Sequence, residues 1–497
     1  MQFEELKKLK SGTDVRGVAV EGELKVNLTD EAVELIVNAF VKWLSLKFKK
    51  AKFRIAIGND SRISAERIVA AAKGALLSSG CDVIYTGLSS TPSMFILLKS
   101  GWGVDASIMV TASHMPYDRN GLKFFTPEGG LDGKDVEEIL RIAADGGKLF
   151  GEGSYEEKSF MDEYSSILVQ TVEGACGKLP LKGKKIIVDA GNGAGGFFAE
   201  KVLKPLGADT CGSQFLEPNG YFPNHIPNPE DKTAIASISS AVIKHGADLG
   251  IIFDTDVDRG ACVDRNGGEI NRNALIALVS AILLKDKSGT IVTDSVTSDG
   301  LTEFIESLGG KHFRYKRGYK NVIDKCKELN ENGEYSPLAI ETSGHAAFKE
   351  NYYLDDGAYL ITKILISLAL QAKEGKDLTS LISTLKRPVE ECEVRITFNE
   401  KSVDFKKEGA QVIEDLKKIA RNDENLILSP ENHEGVRINF KEDGGWLLVR
   451  MSVHDPVMPI NIESNFEGGN KNAAKTLLKI LEGYPFLELK NLKNITL

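Results

Sequence analysis

Short apolar runs that end in polar turns recur along this chain. Arg54-Ile-Ala-Ile-Gly-Asn-Asp60, Lys185-Ile-Ile-Val-Asp-Ala-Gly-Asn192 and Thr290-Ile-Val-Thr-Asp-Ser295 are each short and β-branched, and each is followed by a helical-looking segment. Such runs fit buried parallel strands, and their alternation with helices predicts βαβ units. Their starts lie about 100–130 residues apart, which predicts three related α/β domains. Helical spacing is clear in Asp30 to Lys49, apolar at 33, 35, 36, 39, 40 and 43, with Thr29 or Asp30 as its cap. Phe160 to Gly174 reads as a helix closing the first domain, and an apolar helix runs through Ala274 to Leu284.

The last hundred residues change pattern. Glu393–Phe398, Gly435–Phe440, Trp446–Arg450 and Pro459–Glu463 read as strands, the first two with clean alternation. Helices are predicted at Asp404–Ala420 and Asn470–Leu481. This is an α+β domain, an antiparallel sheet with helices on one face. The predicted organisation is 1–175, 176–280 and 281–388 as α/β domains and 389–497 as the α+β domain.

Composition narrows the function. The 497 residues are 42% hydrophobic and 27% charged, ordinary for a globular chain too long for a single core. Lys and Arg total 62 against 71 Asp and Glu, a net charge of −9, so no basic surplus invites nucleic acid or anionic lipid. The opening MQFEELKKLKSG lacks an apolar h-region, and Ala274 to Leu284 is far short of the roughly 20 residues that span a bilayer. The six cysteines form no CxxC spacing and read as reduced small hydrophobes. A cytoplasmic protein is expected.

Four segments carry chemistry. The run Ala106 to Val110 delivers the hydroxyl cluster of Thr111-Ala-Ser-His114 onto a loop that reaches Lys123; alone, Ser113 would be a turn serine. In Asp248-Leu-Gly-Ile-Ile-Phe-Asp-Thr-Asp-Val-Asp-Arg-Gly260 a strand brings Asp254, Asp256 and Asp258 to alternate positions of a turn. Carboxylates roughly 5 Å apart repel by about 3 kcal/mol per pair, so a hard divalent cation is expected. An EF-hand is excluded, because Arg259 and Arg265 stand where its Gly and Glu belong. Ala339-Ile-Glu-Thr-Ser-Gly-His345 places Glu341 and Ser343 as partners for sugar hydroxyls, with His345 beside them. Val449-Arg-Met-Ser-Val-His-Asp-Pro456 offers Arg450, Ser452 and His454 as phosphate donors.

In order and spacing these four segments resemble the α-D-phosphohexomutase superfamily, the phosphoglucomutases and phosphomannomutases, across the whole chain. Weaker agreements are Gly12-Thr-Asp-Val-Arg-Gly17, Asp60-Ser-Arg-Ile-Ser64, Thr91-Pro92 and Pro223-Asn-His-Ile-Pro-Asn-Pro-Glu230. The resemblance implies four domains around a central cleft. It implies reversible phosphoryl transfer between O1 and O6 of an aldohexose phosphate, with Ser113 as the phosphoserine and a hexose 1,6-bisphosphate as intermediate and activator. It further implies Mg²⁺ on Ser113, Asp254, Asp256 and Asp258, with Arg259, Lys123 and Arg16 offsetting the negative charge. Lys123 and His345 are then the general acid and base. Glu341 and Ser343 read sugar hydroxyls, and Arg450, Ser452 and His454 hold the distant phosphate, with Arg317 and Lys320 as the other phosphate-binding candidates. A small sugar phosphate is the expected partner, and the protein a monomer or homodimer.

Two departures stand out. Met115 replaces the usual Asn of the serine loop. In the phosphate loop Val453 and His454 depart from the pattern, and Pro459 replaces a second Arg. Glucose, mannose and glucosamine phosphates all remain open as substrates. The other readings are a haloacid-dehalogenase-type phosphatase using Asp254 and Asp256, against which the Ser113 loop and the length speak, and a non-catalytic sugar-phosphate sensor.

Overall fold

A computed structural model describes residues 1–441, 444–452 and 455–496. The chain forms two compact units, one of residues 1–275 and 343–380, the other of 276–342 and 381–497.

The first unit holds two sheets and a small hairpin. In the larger sheet, Arg54–Asn59 lies parallel to both Asp82–Leu88 and Ala106–Val110. The sheet is not wholly parallel, however. Ala106–Val110 pairs antiparallel with Arg119–Thr126, which pairs antiparallel with Asp14–Val18. The serine segment is therefore a connection between antiparallel neighbours, not the crossover of a βαβ unit. Helices Asp30–Phe48, Ala65–Ser78 and Gly133–Ala144 bury Ile36, Phe40, Ile68 and Leu140 in one core with Ile55, Ile57 and Ile108 of the strands. Thr29 caps the first of these helices by accepting from Ala32 N–H.

In the second sheet Ile186–Asp189 is parallel to Leu249–Phe253, which returns antiparallel through Gly260–Asp264. Helix Lys232–His245 packs on it through Ile235, Ile238 and Val242. Its start is set by Asp231, whose carboxylate accepts from Thr233 and Ala234 N–H. The closing helix of the first segment runs Met161–Cys176 and packs against Gly357–Lys373. Ala346–Phe348 and Leu354–Asp355 form the hairpin.

In the second unit Thr290–Thr293 is parallel to both Lys311–Arg314 and Leu338–Ile340. The C-terminal sheet runs Leu426–Leu428, Val436–Phe440, Gly445–Val449, Val457–Ser464, Glu390–Phe398, Leu487–Glu488, every pair antiparallel. Period-2 alternation sends Val394, Ile396, Val436, Ile438, Leu447, Val449, Ile460 and Ile462 to one face, where helices Phe405–Asn422 and Gly469–Leu481 cover them. The helices sit on one face, as the pattern predicts; the short edge strands Leu426–Leu428 and Leu487–Glu488 carry too little alternation to be read. Among the described residues no helix is long and apolar enough to cross a membrane. All six cysteines are free, and Cys81, Cys176, Cys262 and Cys326 are buried.

Candidate functional site

The strand pair Ala106–Val110 and Arg119–Thr126 presents residues 111–118 as one loop. Ser113 is 3% exposed and takes a left-handed backbone conformation, φ 51°. Its hydroxyl donates to Asp254 Oδ2 at 3.0 Å and accepts from Arg259 Nη2 at 3.1 Å. The same guanidinium group donates to His114 Nδ1, which fixes that ring nitrogen as an acceptor.

The three aspartates do not lie on the strand itself. Leu249–Phe253 ends before them, and residues 254–259 form the connection to Gly260–Asp264, with Val257 at φ 65°. An extended strand would also set these alternate residues on one face, but spread at steps of roughly 6–7 Å, whereas the loop lets the carboxylates converge. Their ligand atoms lie within 4.8 Å of one another and all three residues are buried.

The loop's oxygens divide into two sets. Asp254 Oδ2 accepts from Arg259 Nε at 3.1 Å as well as from Ser113, and Asp254 Oδ1 accepts from Arg259 N–H. Thr91 Oγ1 donates to Asp256 Oδ2, and Lys123 Nζ lies 2.8 Å from Asp258 Oδ2. Asp256 Oδ1 and Asp258 Oδ1, though buried, have no hydrogen-bond partner among the described residues. A buried acceptor without a partner is costly, and two of them among three clustered carboxylates fit a hard, oxygen-seeking cation. Burial and the neighbouring Asp258 push Asp254 well above the carboxylate range. Burial acts on Asp258 in the same sense, but Lys123, His345 and Arg259 together hold it well below.

His345 joins this cluster by backbone and by charge. A bridge pairs it with Arg259, and its Nδ1 lies 3.5 Å from Asp355 Oδ2. Burial disfavours its charged form, yet Asp258 and Asp355 outweigh that and raise its pKa to about 9, so it is an imidazolium at neutral pH. The start of helix Gly357–Lys373 backs the aspartate loop, Gly357 N–H donating to Val257 C=O at 3.1 Å. A Cβ on Gly357 would stand 2.5 Å from Arg259 carbonyl carbon, so only glycine permits this approach. Arg16 pairs with Asp14, Nη2 to Oδ2 at 2.7 Å, and its Nη1 reaches Ala112 C=O at 3.5 Å. The first unit thus gathers Ser113, Lys123, Arg16, Arg259, His345 and the three aspartates.

Residues without an assigned role in the sequence also belong here. Asp14, Thr91 and Asp355 hold the candidate side chains, and Asp60 and Arg62 underlie the serine loop. Four of the five lie in segments that the sequence marked only as weaker agreements with the resembled superfamily, Gly12–Gly17, Asp60–Ser64 and Thr91-Pro92; Asp355 had no such signal.

The second unit carries the remaining candidates apart from Ser343. Glu341 Oε1 accepts from Gly318 N–H at 2.6 Å, which ties it to the segment holding Arg317. Arg317 N–H donates to Glu434, and its Nε lies 3.8 Å from Asp294 Oδ2. Arg450 is half-buried and feels Glu434, Arg317, Glu393 and Asp294, so the two arginines share one electrostatic neighbourhood. Arg450 Nε has no hydrogen-bond partner among the described residues. Ser452 N–H donates to Val457 C=O at 2.9 Å, and its hydroxyl accepts from Asp455 N–H. Pro459 is a strand residue opposite Arg395 whose carbonyl accepts from Arg450 N–H. Lys320 pairs with Asp324 one turn along helix Tyr319–Glu331. Val453 and His454 lie outside the described residues. Ser343 belongs to the first unit, and its buried hydroxyl lacks a hydrogen-bond partner among the described residues.

The family model described as phosphoglucomutase/phosphomannomutase, alpha/beta/alpha domain I matches residues 7–148, domain II residues 162–268 and domain III residues 271–387. A phosphoglucomutase of Neisseria gonorrhoeae is 28% identical over 95% of this chain and 96% of its own length. A phosphoglucosamine mutase of Acetivibrio thermocellus is also 28% identical, over 95% of this chain and 98% of its own. The crystal structure of a phosphoglucomutase/phosphomannomutase family protein from Burkholderia thailandensis superimposes with a TM-score of 0.80 at 27% identity, covering 96% of this chain and 97% of that one. With its sheets in place and three successive family domains matched over well more than half its length, the chain belongs to the phosphoglucomutase/phosphomannomutase family and is a phosphohexomutase of the α-D-phosphohexomutase superfamily.

Proposed function

We propose that this phosphohexomutase moves a phosphoryl group reversibly between O1 and O6 of an aldohexose phosphate, with Ser113 as the covalent carrier. The single observation that supports this most is the seat of the Ser113 hydroxyl, 3.0 Å from Asp254 Oδ2 and 3.1 Å from Arg259 Nη2. The phosphoryl group passes from phosphorylated Ser113 to the free hydroxyl of a hexose monophosphate, giving a hexose 1,6-bisphosphate. The bisphosphate then returns its other phosphoryl group to Ser113. Charge stabilisation and positioning do most of the work in such transfers. Arg259 is placed to stabilise charge on the transferring group. Lys123 and the His345 imidazolium serve as the acid and base candidates, and Arg16 adds positive charge beside the loop. Asp254, Asp256 and Asp258, with Ser113, would hold a Mg²⁺ ion, which supplies Lewis-acid polarisation of phosphoryl oxygens.

Glu341 and Ser343 are assigned to sugar hydroxyls, and Arg450, Ser452, Arg317 and Lys320 to the phosphate that is not reacting. Glucose and mannose phosphates are the proposed substrates, glucosamine phosphate the alternative, in a cytoplasmic protein with a domain division at 175, 280 and 388. Helix Arg272–Leu284 runs through residue 280, so an interdomain linker there would have to be helical. A phosphatase attacking through Asp254 is disfavoured, since both of its oxygens are held by Arg259 and one also by Ser113.

The test is a side-by-side assay of glucose, mannose, glucosamine and N-acetylglucosamine phosphates, with the mass of purified protein read for phosphate on Ser113. Turnover of a hexose phosphate by wild type, and its loss to a few per cent or less in Ser113→Ala, is the expected result. Turnover surviving in Ser113→Ala overturns the carrier assignment, and an inactive protein with no phosphate on Ser113 favours the sensor.

A further inference from the structure

We infer that Asp60, Arg62 and Thr111 form a positioning unit that holds Ser113 in its reactive backbone conformation; this rests on the reading of Ser113 as the phosphoryl carrier. Arg62 contacts none of the reacting groups. Its side chain is 0% exposed, and its fork closes on the carbonyls of the serine loop. Nη1 donates to Pro116 C=O at 2.7 Å and Arg119 C=O at 2.9 Å, and Nη2 donates to Met115 C=O at 2.6 Å and to Ser113 C=O. Three carbonyls of the loop and that of Arg119, the first residue of the following strand, converge on one cation.

Asp60 completes the unit. Its Oδ1 accepts from Arg62 N–H at 2.9 Å, its Oδ2 lies 3.3 Å from Arg62 Nε, and that same oxygen accepts from Thr111 Oγ1 at 2.7 Å. Thr111 Oγ1 in turn accepts from Ser113 N–H at 2.9 Å. Ser113 is thereby gripped at both backbone ends, its N–H through Thr111 and its C=O by Arg62. A non-glycine residue at φ 51° is in a region that side chains disfavour, so the surroundings have to impose it. The second sheet's segment covers the unit. The ring of Phe222 lies 5.4 Å from the Arg62 guanidinium, and Gly220 packs so tightly on residues 61–63 that a Cβ there would stand 2.3 Å from Ile63 N. With the Asp60 and Arg62 side chains both fully buried, the hydrogen bonds are strong and their loss is felt. Lysine cannot replace the planar fork. At Met115 the unit holds the loop through the backbone carbonyl and not through the side chain.

The test compares wild type with Thr111→Val, Thr111→Ser and Arg62→Lys. Thermal midpoint, kcat and KM for glucose 1-phosphate, and uptake of phosphate onto Ser113 from glucose 1,6-bisphosphate are measured on each. Thr111→Val should fold, lower kcat and the rate of phosphate uptake at least about tenfold, and leave KM within about twofold; Thr111→Ser should restore most of the rate. Misplacing the nucleophile by about 1 Å costs on the order of 10²-fold, the loss expected of Arg62→Lys. If Arg62→Lys fails to fold, the Thr111 pair decides. A folded Thr111→Val with kcat within twofold of wild type overturns the proposal, as does a loss that Thr111→Ser does not rescue. Wild-type protein that never takes up phosphate on Ser113 defeats the carrier reading itself, which the variants cannot do.

Discussion

Lys123 Nζ lies 2.8 Å from Asp258 Oδ2, an ion pair between the strand that leaves the serine loop and the aspartate loop, with side chains only 7% and 2% exposed. The same ammonium group is 3.9 Å from Asp14 and 4.0 Å from Asp256. It is the cation on which this acidic cluster leans most directly.

Lys123→Met keeps the length of the side chain and removes the charge. Breaking a buried pair from one side costs about 3–5 kcal/mol, and loss of an acid–base group about 10²–10⁴ in rate. Adding Asp258→Asn removes the stranded charge. The double variant should therefore recover part of the stability, read by urea unfolding, and none of the turnover. Recovery of turnover as well would make Lys123 a purely structural counter-ion.

The metal prediction turns on Asp256, whose Oδ1 has no hydrogen-bond partner among the described residues while its Oδ2 is held by Thr91. Asparagine can still accept from Thr91 through its one neutral oxygen but offers no anionic oxygen to a cation. In wild type, Mg²⁺ at about 100 times its Kd should stabilise the fold by about 2.7 kcal/mol. Asp256→Asn should lose most of that gain, seen as a thermal midpoint insensitive to Mg²⁺. A chelator should abolish wild-type turnover and Mg²⁺ should restore it; turnover indifferent to chelation excludes a metal role.

What could be read in advance was what is local. The serine and aspartate loops announce themselves because a strand ending in clustered polar groups is unusual within a dozen residues. The alternation of Val436, Ile438 and Phe440 gives away its strand, and Thr29 its helix start. Arg62 was hidden because its meaning lies in carbonyls more than fifty residues away. Arg119–Thr126 was hidden because its first residues, Arg119-Asn-Gly, look like a turn; only pairing with Ala106–Val110 and Asp14–Val18 makes them strand. His345 had its charge set by Asp355 and Asp258, neither of them in its own segment.

Stability should fall as pH rises through the range of one buried carboxyl. Glu463 accepts from Trp446 Nε1 at 2.9 Å, and burial raises its pKa from 4.5 to about 7, against the pull of Arg437. The folded state then holds a proton that the unfolded chain has released between those values. Its contribution is complete below about pH 4.5 and is lost by about pH 7, on the order of 3 kcal/mol. Glutamine keeps an acceptor for Trp446 and carries no charge. Glu463→Gln should be neutral near pH 5 and should raise the thermal midpoint near pH 8. A variant less stable than wild type at both pH values would show that the carboxylate is needed.

The phosphate clamp gives the sharpest test of the second unit. Arg450 is the one arginine of its loop, Pro459 occupies a paired strand position, and Ser452 donates its N–H to Val457 C=O. The nearby positive charge comes instead from Arg317, which stands close enough to oppose the ionised form of Arg450. Two guanidinium groups that repel each other gain from a shared anion, and only a planar fork grips two phosphate oxygens at once. Arg450→Lys should therefore lower kcat/KM for glucose 1-phosphate about tenfold or more, since a charged hydrogen bond is worth about 1.5–3 kcal/mol. Arg317→Ala should weaken the same step. If the two hold one phosphate, the double variant should lose less than the product of the single losses, because the second removal acts on a clamp already broken. Strictly multiplicative losses would place the two arginines on separate tasks, and an Arg450→Lys enzyme with unchanged kcat and KM would remove Arg450 from the clamp and leave Arg317 and Lys320 to hold the phosphate.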